Sequence, residues 1–275
     1  MNDRPTLGTT LRAGRVMTSA LTTRTGPRAR RRWLVPALIA AVAAGGAAVA
    51  YAATESQQAT VATTDRAAIE AIVRSYILEH PEIIPEAIKL LRAKDMAAKI
   101  EENRSALETP YKGAWEGAAT PKVTLVAFMD YACGYCRASL PDLQRLVKDN
   151  PDLRIVYHEL PVIAEGSAGA AKVSLLAAEA GKYMAFHQAM YAAGGVEPSD
   201  VVKAAGKAGL DSSRARAALG DGDKARDDLL MGNIRLAQEL GGEGTPMFVV
   251  GDELFNGSVG YETLNAAIAK ARDKG

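Results

Sequence analysis

Cysteine is nearly missing from this 275-residue chain, which holds two, Cys133 and Cys136, separated only by Gly134 and Tyr135. Two sulfurs cannot make a stapled scaffold, and a ring this small would constrain the unfolded chain little, because the gain from cross-linking grows with loop length. Histidine is almost as scarce: His80, His158 and His187 are the three in the chain, all distant from the cysteines in sequence. With no second Cys-x-x-Cys either, a closed four-ligand metal site is not written here. Net charge is small as well, formally +1 with 24% charged residues, and there is neither an acidic tail nor an extended basic face. That balance gives no electrostatic footprint for a nucleic-acid partner.

What charge there is lies unevenly. Eight arginines and a single acid, Asp3, precede residue 33. The 21 residues from Trp33 to Ala53 then carry no charge at all. As a helix rising about 1.5 Å per residue, that run would cross the roughly 30 Å hydrocarbon layer of a bilayer. Arginines ahead of it place residues 1–32 in the cytoplasm and export the chain beyond Ala53. Small-residue sites at Ala48-Val49-Ala50 and Ala50-Tyr51-Ala52 would suit a cleaved signal peptide, but the full spanning length favours a retained anchor over 33–53. Residues 54–64 read as a flexible tether.

Two thiols on the exported side of a membrane can serve as a reagent, because disulfides form and persist there. The segment Lys122 to Asp130, "KVTLVAFMD", has the β-branched, apolar character of a strand buried on both faces, and Leu140, Leu143 and Val147 come after Cys136 at helical spacing. The cysteines therefore fall at a strand-to-helix junction, where free N–H groups and the helix dipole favour a thiolate on Cys133. Gly134 is expected to permit a tight turn, and Pro141 to kink the helix. Cys136, nearly a turn further on, is expected to be the more buried, resolving thiol. The same two thiolates, helped by Met129 or Met247, could instead hold Cu(I), a reading from a different class that stays open.

The stretch "FMDYACGYCRASLP" resembles the active-site segment of the DsbA-like branch of the thioredoxin superfamily, in a form similar to suppressor-of-copper-sensitivity C (ScsC) proteins. The stretch "GGEGTPMFVVGDELFNG", Gly241 to Gly257, resembles that family's cis-proline loop and the two strands after it. The resemblance implies an α/β thioredoxin fold with a helical insertion over about 165–241, within a domain spanning 109–275. It further implies thiol–disulfide exchange on protein substrates through Cys133 and Cys136, supported by Gly134, Tyr135, Thr245 and Pro246. A location on the periplasmic side of the inner membrane and a membrane redox partner of DsbD or DsbB type are implied too. No cofactor or resident metal is implied. Gly-Tyr between the cysteines and threonine before the proline are more similar to disulfide isomerases than to dedicated oxidases, so isomerase or reductase action is expected ahead of net oxidation. One departure stands out: the buried acid that thioredoxin relatives often carry six residues before the first cysteine is replaced by Ala127. Asp130 and Glu243 are nearby acids, each expected to be solvated.

Around these anchors we expect strands near Thr109 to Lys112, at 122–129, 153–160, 246–250 and 253–256. A helix over 134–149 should begin at the cysteines, and a last one should run from Tyr261 to Ala271. The alanine-rich stretch from Ser167 to Leu240 should be helical, broken at Gly181, Gly194-Gly195, Gly209 and Gly220. His158 and His187 are expected to be structural or surface groups. Ahead of the domain, Ile69, Ile72, Val73, Tyr76 and Ile77 form an apolar stripe, and a second helix after His80 to Pro85 carries Ile84, Ile88, Leu91, Ile100 and Leu107. Two helices cannot bury such stripes alone. With the charged run Arg92 to Arg104 solvated, residues 65–108 are expected to be an arm that joins copies of the chain into a homo-oligomer.

Overall fold

Two helices precede the sheet. The computed structural model describes residues 65–220 and 222–274; the basic segment 1–32, the anchor or signal run 33–53 and the tether 54–64 lie outside the described residues. Helix α1 covers residues 65–79, the described part of the first of two units, and leaves Ile69, Ile72, Val73, Tyr76 and Leu78 exposed. Among the described residues no helix is long and apolar enough to cross a membrane.

Helix α2, Ile83–Glu108, opens the second unit and changes character along its length. Its first half exposes Ile84, Ile88, Leu90 and Leu91, whereas Ile100 and Leu107 are fully buried against the sheet. Arg104 is not a solvated charge either: its guanidinium pairs with Glu101, with Glu108 and, at 3.0 Å, with Asp252 of the same unit. The packing therefore does not change at the expected 108/109 boundary. Burying two large aliphatic side chains, at about 1.5–3 kcal/mol each, ties the end of α2 to the core.

The expected strand at Thr109 to Lys112 is absent. Thr109 caps the end of α2, and the residues after it form a turn in which Lys112 takes a positive φ of 49° and the Ala114 N–H donates to the Tyr111 carbonyl. The first strand comes after it, so that the sheet comprises β1 (Trp115–Gly117), β2 (Val123–Met129), β3 (Leu153–Glu159), β4 (Met247–Val250) and β5 (Glu253–Asn256). Their order is β1-β3-β2-β4-β5, with β2 and β3 parallel and the other neighbours antiparallel. Helix α3, Gly134–Asp149, connects β2 to β3 and runs through Pro141 without a break.

Strand β2 shows why an apolar run without alternation belongs in the middle of such a sheet. Leu125, Ala127 and Met129 face a core shared with α3 and with α9 (Tyr261–Arg272), while Val126 and Phe128 face α2 on the other side. Both faces are dry, so both sets must be apolar. Between β3 and β4 come five helices: α4 (Ser167–Glu179), α5 (Tyr183–Ala193), α6 (Pro198–Lys207), α7 (Ser212–Leu219) and α8 (Lys224–Glu239). Alanine at Ala170, Ala177, Ala204, Ala205 and Ala215 lets α4, α6 and α7 pack closely. Gly194 ends α5 in the left-handed conformation, φ 83°, which most residues avoid.

Candidate active site

Met129 ends β2, and the chain turns over four residues into α3: the Cys133 N–H donates to the Asp130 carbonyl at 3.1 Å. Cys133 occupies the N-cap position, where a side chain usually accepts a hydrogen bond from the first helical turn. Its Sγ does so, taking the Cys136 N–H at 3.3 Å. Cys136 lies inside the helix with no exposed surface, and burial pushes its thiol well above the usual range. The two thiols are thus unequal: one sits at the mouth of the helix, the other behind it. Gly134 has an ordinary helical backbone, and a Cβ there would meet nothing within 4 Å. The turn does not need glycine; what glycine leaves is open space beside Cys133. Tyr135 projects from the same turn with 72% of its surface exposed.

From the other side comes the loop before β4. Thr245-Pro246 is a cis peptide, and the Cys133 thiol donates to the Thr245 carbonyl at 3.2 Å. The cis-proline loop therefore lies directly against Cys133. The Thr245 hydroxyl is buried without a hydrogen-bond partner among the described residues, and it lies near enough to Cys136 to favour that sulfur's thiolate. Met129 and Met247 point into separate core clusters, and among the described residues no group of three or more histidine, cysteine, aspartate or glutamate side chains gathers as a metal site.

Asp130 corrects an expectation. It is buried rather than solvated: Oδ1 accepts the Ala132 N–H at 2.8 Å and the Ser167 hydroxyl at 2.7 Å, and Oδ2 accepts the Val162 and Ile163 N–H groups at 2.8 and 2.9 Å. One carboxylate thereby joins the cysteine turn to the loop after β3, whose Val162 and Ile163 side chains remain exposed. Glu243 is exposed, as expected.

A second buried acid lies outside these expectations. Glu159 ends β3 opposite Met129, and its Oε1 accepts the Tyr131 hydroxyl at 3.0 Å and the Tyr183 hydroxyl at 2.8 Å. Burial raises its carboxyl from an ordinary 4.5 to about 7. His187 lies 3.1 Å from the same Tyr131 oxygen through Nδ1, with Nε2 buried and unpartnered among the described residues, and burial lowers its imidazole from 6.5 to about 3. Rings of Tyr131, Tyr157, Tyr183 and Tyr191 surround that imidazole. A signal for Glu159 existed, since Leu153, Ile155 and Tyr157 mark the core-facing positions of β3 and Glu159 is the next in that period of two. Both His158 and His187 prove to be interior groups, and the His158 Nε2–H donates to the Leu107 carbonyl at 2.8 Å.

The raised Glu159 value sets a sign for stability against pH. The folded chain holds the Glu159 proton up to about 7 while the unfolded chain releases it near 4.5, so ionising the buried group costs stability as pH rises between those values. Relative to Glu159→Gln, the wild-type chain should lose about 3 kcal/mol across this window, and little beyond it. Urea unfolding of both proteins as a function of pH measures the difference; a constant difference would mean that Glu159 does not titrate there.

Known proteins share this architecture. Residues 124–269 match the DSBA-like thioredoxin domain family, and residues 65–98 match the copper resistance protein ScsC N-terminal domain. A thioredoxin-like oxidoreductase from Silicibacter pomeroyi is 37% identical, covers 58% of this chain and 91% of its own, and superposes with a TM-score of 0.55. A linker-deletion mutant of Proteus mirabilis ScsC is 28% identical over 75% of this chain and 94% of its own, with a TM-score of 0.59. Among curated proteins, the Na(+)/H(+) antiporter NhaA 1 of Salinispora arenicola is 29% identical over 164 residues, 56% of this chain; the chain spans only 24% of that relative's length.

Proposed function

The chain belongs to the DSBA-like thioredoxin family, and from that premise we propose that it is an exported thiol–disulfide oxidoreductase acting on protein disulfides. The observation that carries the reading is the Cys133 thiol, placed at a helix N-cap and 3.2 Å from the carbonyl of a cis-proline loop. Cys133 as thiolate attacks one sulfur of a client disulfide; a mixed disulfide forms and the client's other sulfur leaves as a thiolate. Cys136, once it has lost its proton, attacks the Cys133 sulfur and releases the second client thiolate, or the client's own thiolate does so and the net result is isomerisation. Gly134 and Tyr135 leave room and an aromatic surface at the point of attack. Thr245 and Pro246 present backbone groups to the client in extended form.

Isomerase or reductase action ranks ahead of net oxidation, supported by Gly-Tyr between the cysteines and by Thr245 ahead of Pro246. Either role requires a reduced pair. Trapping free thiols in intact cells should find Cys133 and Cys136 mostly reduced, maintained by a membrane partner of DsbD type; a mostly oxidised pair would assign the chain to net oxidation with a DsbB-type partner. Export to the periplasmic side of the inner membrane fits the family, as a related protein from Salmonella enterica serovar Typhimurium is described as periplasmic. The single-pass anchor at residues 33–53 is part of the same proposal.

Residues 65–98 are proposed to assemble copies of the chain. The apolar side chains exposed on α1 and on the first half of α2, together with the ScsC N-terminal match over these residues, support this. Replacing Ile69, Ile72 and Val73 together by lysine should shift the chain to a smaller species in light scattering and leave the thermal unfolding of the catalytic unit unchanged. An unaltered mass would refute the arm's role.

A further inference from the structure

Behind the cysteine turn lies a buried chain of hydrogen bonds that the exchange reaction described above does not use. We propose that Glu159 is a positioning residue for the cysteine couple: a carboxyl that, through the Tyr131 hydroxyl shared with His187, makes reduction of Cys133 and Cys136 depend on the uptake of a proton outside the pair. The inference rests on the exchange reading and deepens it.

The geometry runs in three steps. Tyr131 is the second residue of the four-residue turn that delivers Cys133 to the helix, and its side chain reaches inward to Glu159 Oε1 at 3.0 Å. Tyr191 closes the turn from the other side: its ring packs 4.9 Å from that of Tyr131, and its hydroxyl donates to the Asp130 carbonyl at 3.0 Å. Arg137, one residue after Cys136, donates from Nε to the Tyr191 carbonyl at 3.0 Å, so α3 is held by the same residue. Besides being buried, the Tyr191 phenol is within reach of negative charge on Cys136 and, more weakly, on Glu159, both of which raise its pKa.

The groups facing Glu159 sharpen the point. From the turn come Asp130 and Tyr131, from α4 the Ser174 hydroxyl, from α5 Tyr183, His187 and Tyr191, and from its own strand Tyr157. None is a cation, since burial keeps His187 neutral, and Glu159 makes no ion pair among the described residues. An ionised Glu159 therefore relies on neutral hydroxyl donors, those of Ser174, Tyr183 and Tyr131. The Tyr131 hydroxyl donates to Glu159 Oε1 and its oxygen lies 3.1 Å from His187 Nδ1, so one hydroxyl stands between the carboxyl and the imidazole and its bonding can re-sort with the charge on Glu159. Ala127 leaves the site without an acid on β2, and Glu159, on the adjacent strand, supplies one.

Reduction takes two electrons and one proton, converting the disulfide to a thiolate and a thiol; the electrons come from a dithiol or from glutathione. New negative charge at the cysteines raises the cost of charge on Glu159 in the low-dielectric interior. In the pH range where Glu159 titrates, reduction then draws a further fraction of a proton onto it.

The test measures the equilibrium of the full chain with reduced and oxidised glutathione as a function of pH, for wild type, Glu159→Gln and Tyr131→Phe. From about pH 6 to about pH 8 the wild-type constant should fall about threefold more than that of either variant. Equal pH dependence in all three would overturn the proposal, whereas failure of the wild type to exchange at all would instead strike the exchange reading. Carbon-13 labelling of glutamate keeps the test decisive if a variant does not fold. In the wild type, the Glu159 carboxyl should titrate at higher pH in the reduced than in the oxidised protein, and identical titrations would overturn the coupling.

Discussion

Replacing Cys133 by serine is expected to lower disulfide exchange by on the order of a thousandfold or more, because a hydroxyl is not ionised near neutral pH and cannot form the mixed disulfide. The fold should survive. Serine is among the preferred N-cap residues, and it can accept the Cys136 N–H as Cys133 does. Replacing Cys136 by serine has the opposite signature: attack still occurs, but nothing within the chain resolves the intermediate, so mixed disulfides through Cys133 should accumulate. The asymmetry arises from position, since Cys136 is fully enclosed and its thiol is held protonated by burial. Non-reducing gels with peptide mapping of the trapped species distinguish the two. Trapping that persists in Cys133→Ser and runs through Cys136 would reverse the assignment.

The second large effect belongs to Asp130. Its carboxylate accepts three backbone N–H groups and one hydroxyl in the interior, and alanine would strand all four donors. Each stranded buried donor costs about 1–3 kcal/mol where water cannot reach it, so with partial relaxation Asp130→Ala should lose about 4 kcal/mol of stability. Exchange should fall as well, because the Asp130 carbonyl and carboxylate together set the turn that carries Cys133. Asp130→Asn keeps one acceptor oxygen and should sit between the two. An unfolding free energy of Asp130→Ala, from urea titration, within about 1 kcal/mol of wild type would mean that solvent or backbone movement satisfies these donors.

Apart from β1, expected at Thr109 to Lys112 and found at Trp115–Gly117, the sheet and the helix after the cysteines were legible because their signals are local: an unbroken apolar run for β2, helical spacing for α3, glycines at the ends of the insertion helices. The positions of Cys133, Cys136 and the cis Thr245-Pro246 bond were marked by motifs. Three features were not legible, each for a physical reason. Asp130 and a solvated aspartate look alike until the loop at Val162 and Ile163 folds back onto it. Glu159 is hidden by distance, since its partners Tyr131 and Tyr183 lie 28 and 24 residues away. The inner end of α2 carries the same mix of charge and aliphatic residues as a solvated arm, and only contact with Val126, Phe128 and Val249 makes Ile100 and Leu107 core residues.

The most direct test of the central claim is to give the purified full chain a protein with scrambled disulfides in a glutathione buffer and to track recovery of the native pairing, with Cu(I) affinity measured on the same preparation. Recovery that requires Cys133, with any copper affinity incidental to a reactive thiol, is the result predicted here. Tight copper binding by Cys133 and Cys136, with neither reduction nor reshuffling of the client, would contradict it and make the chain a metal-handling protein.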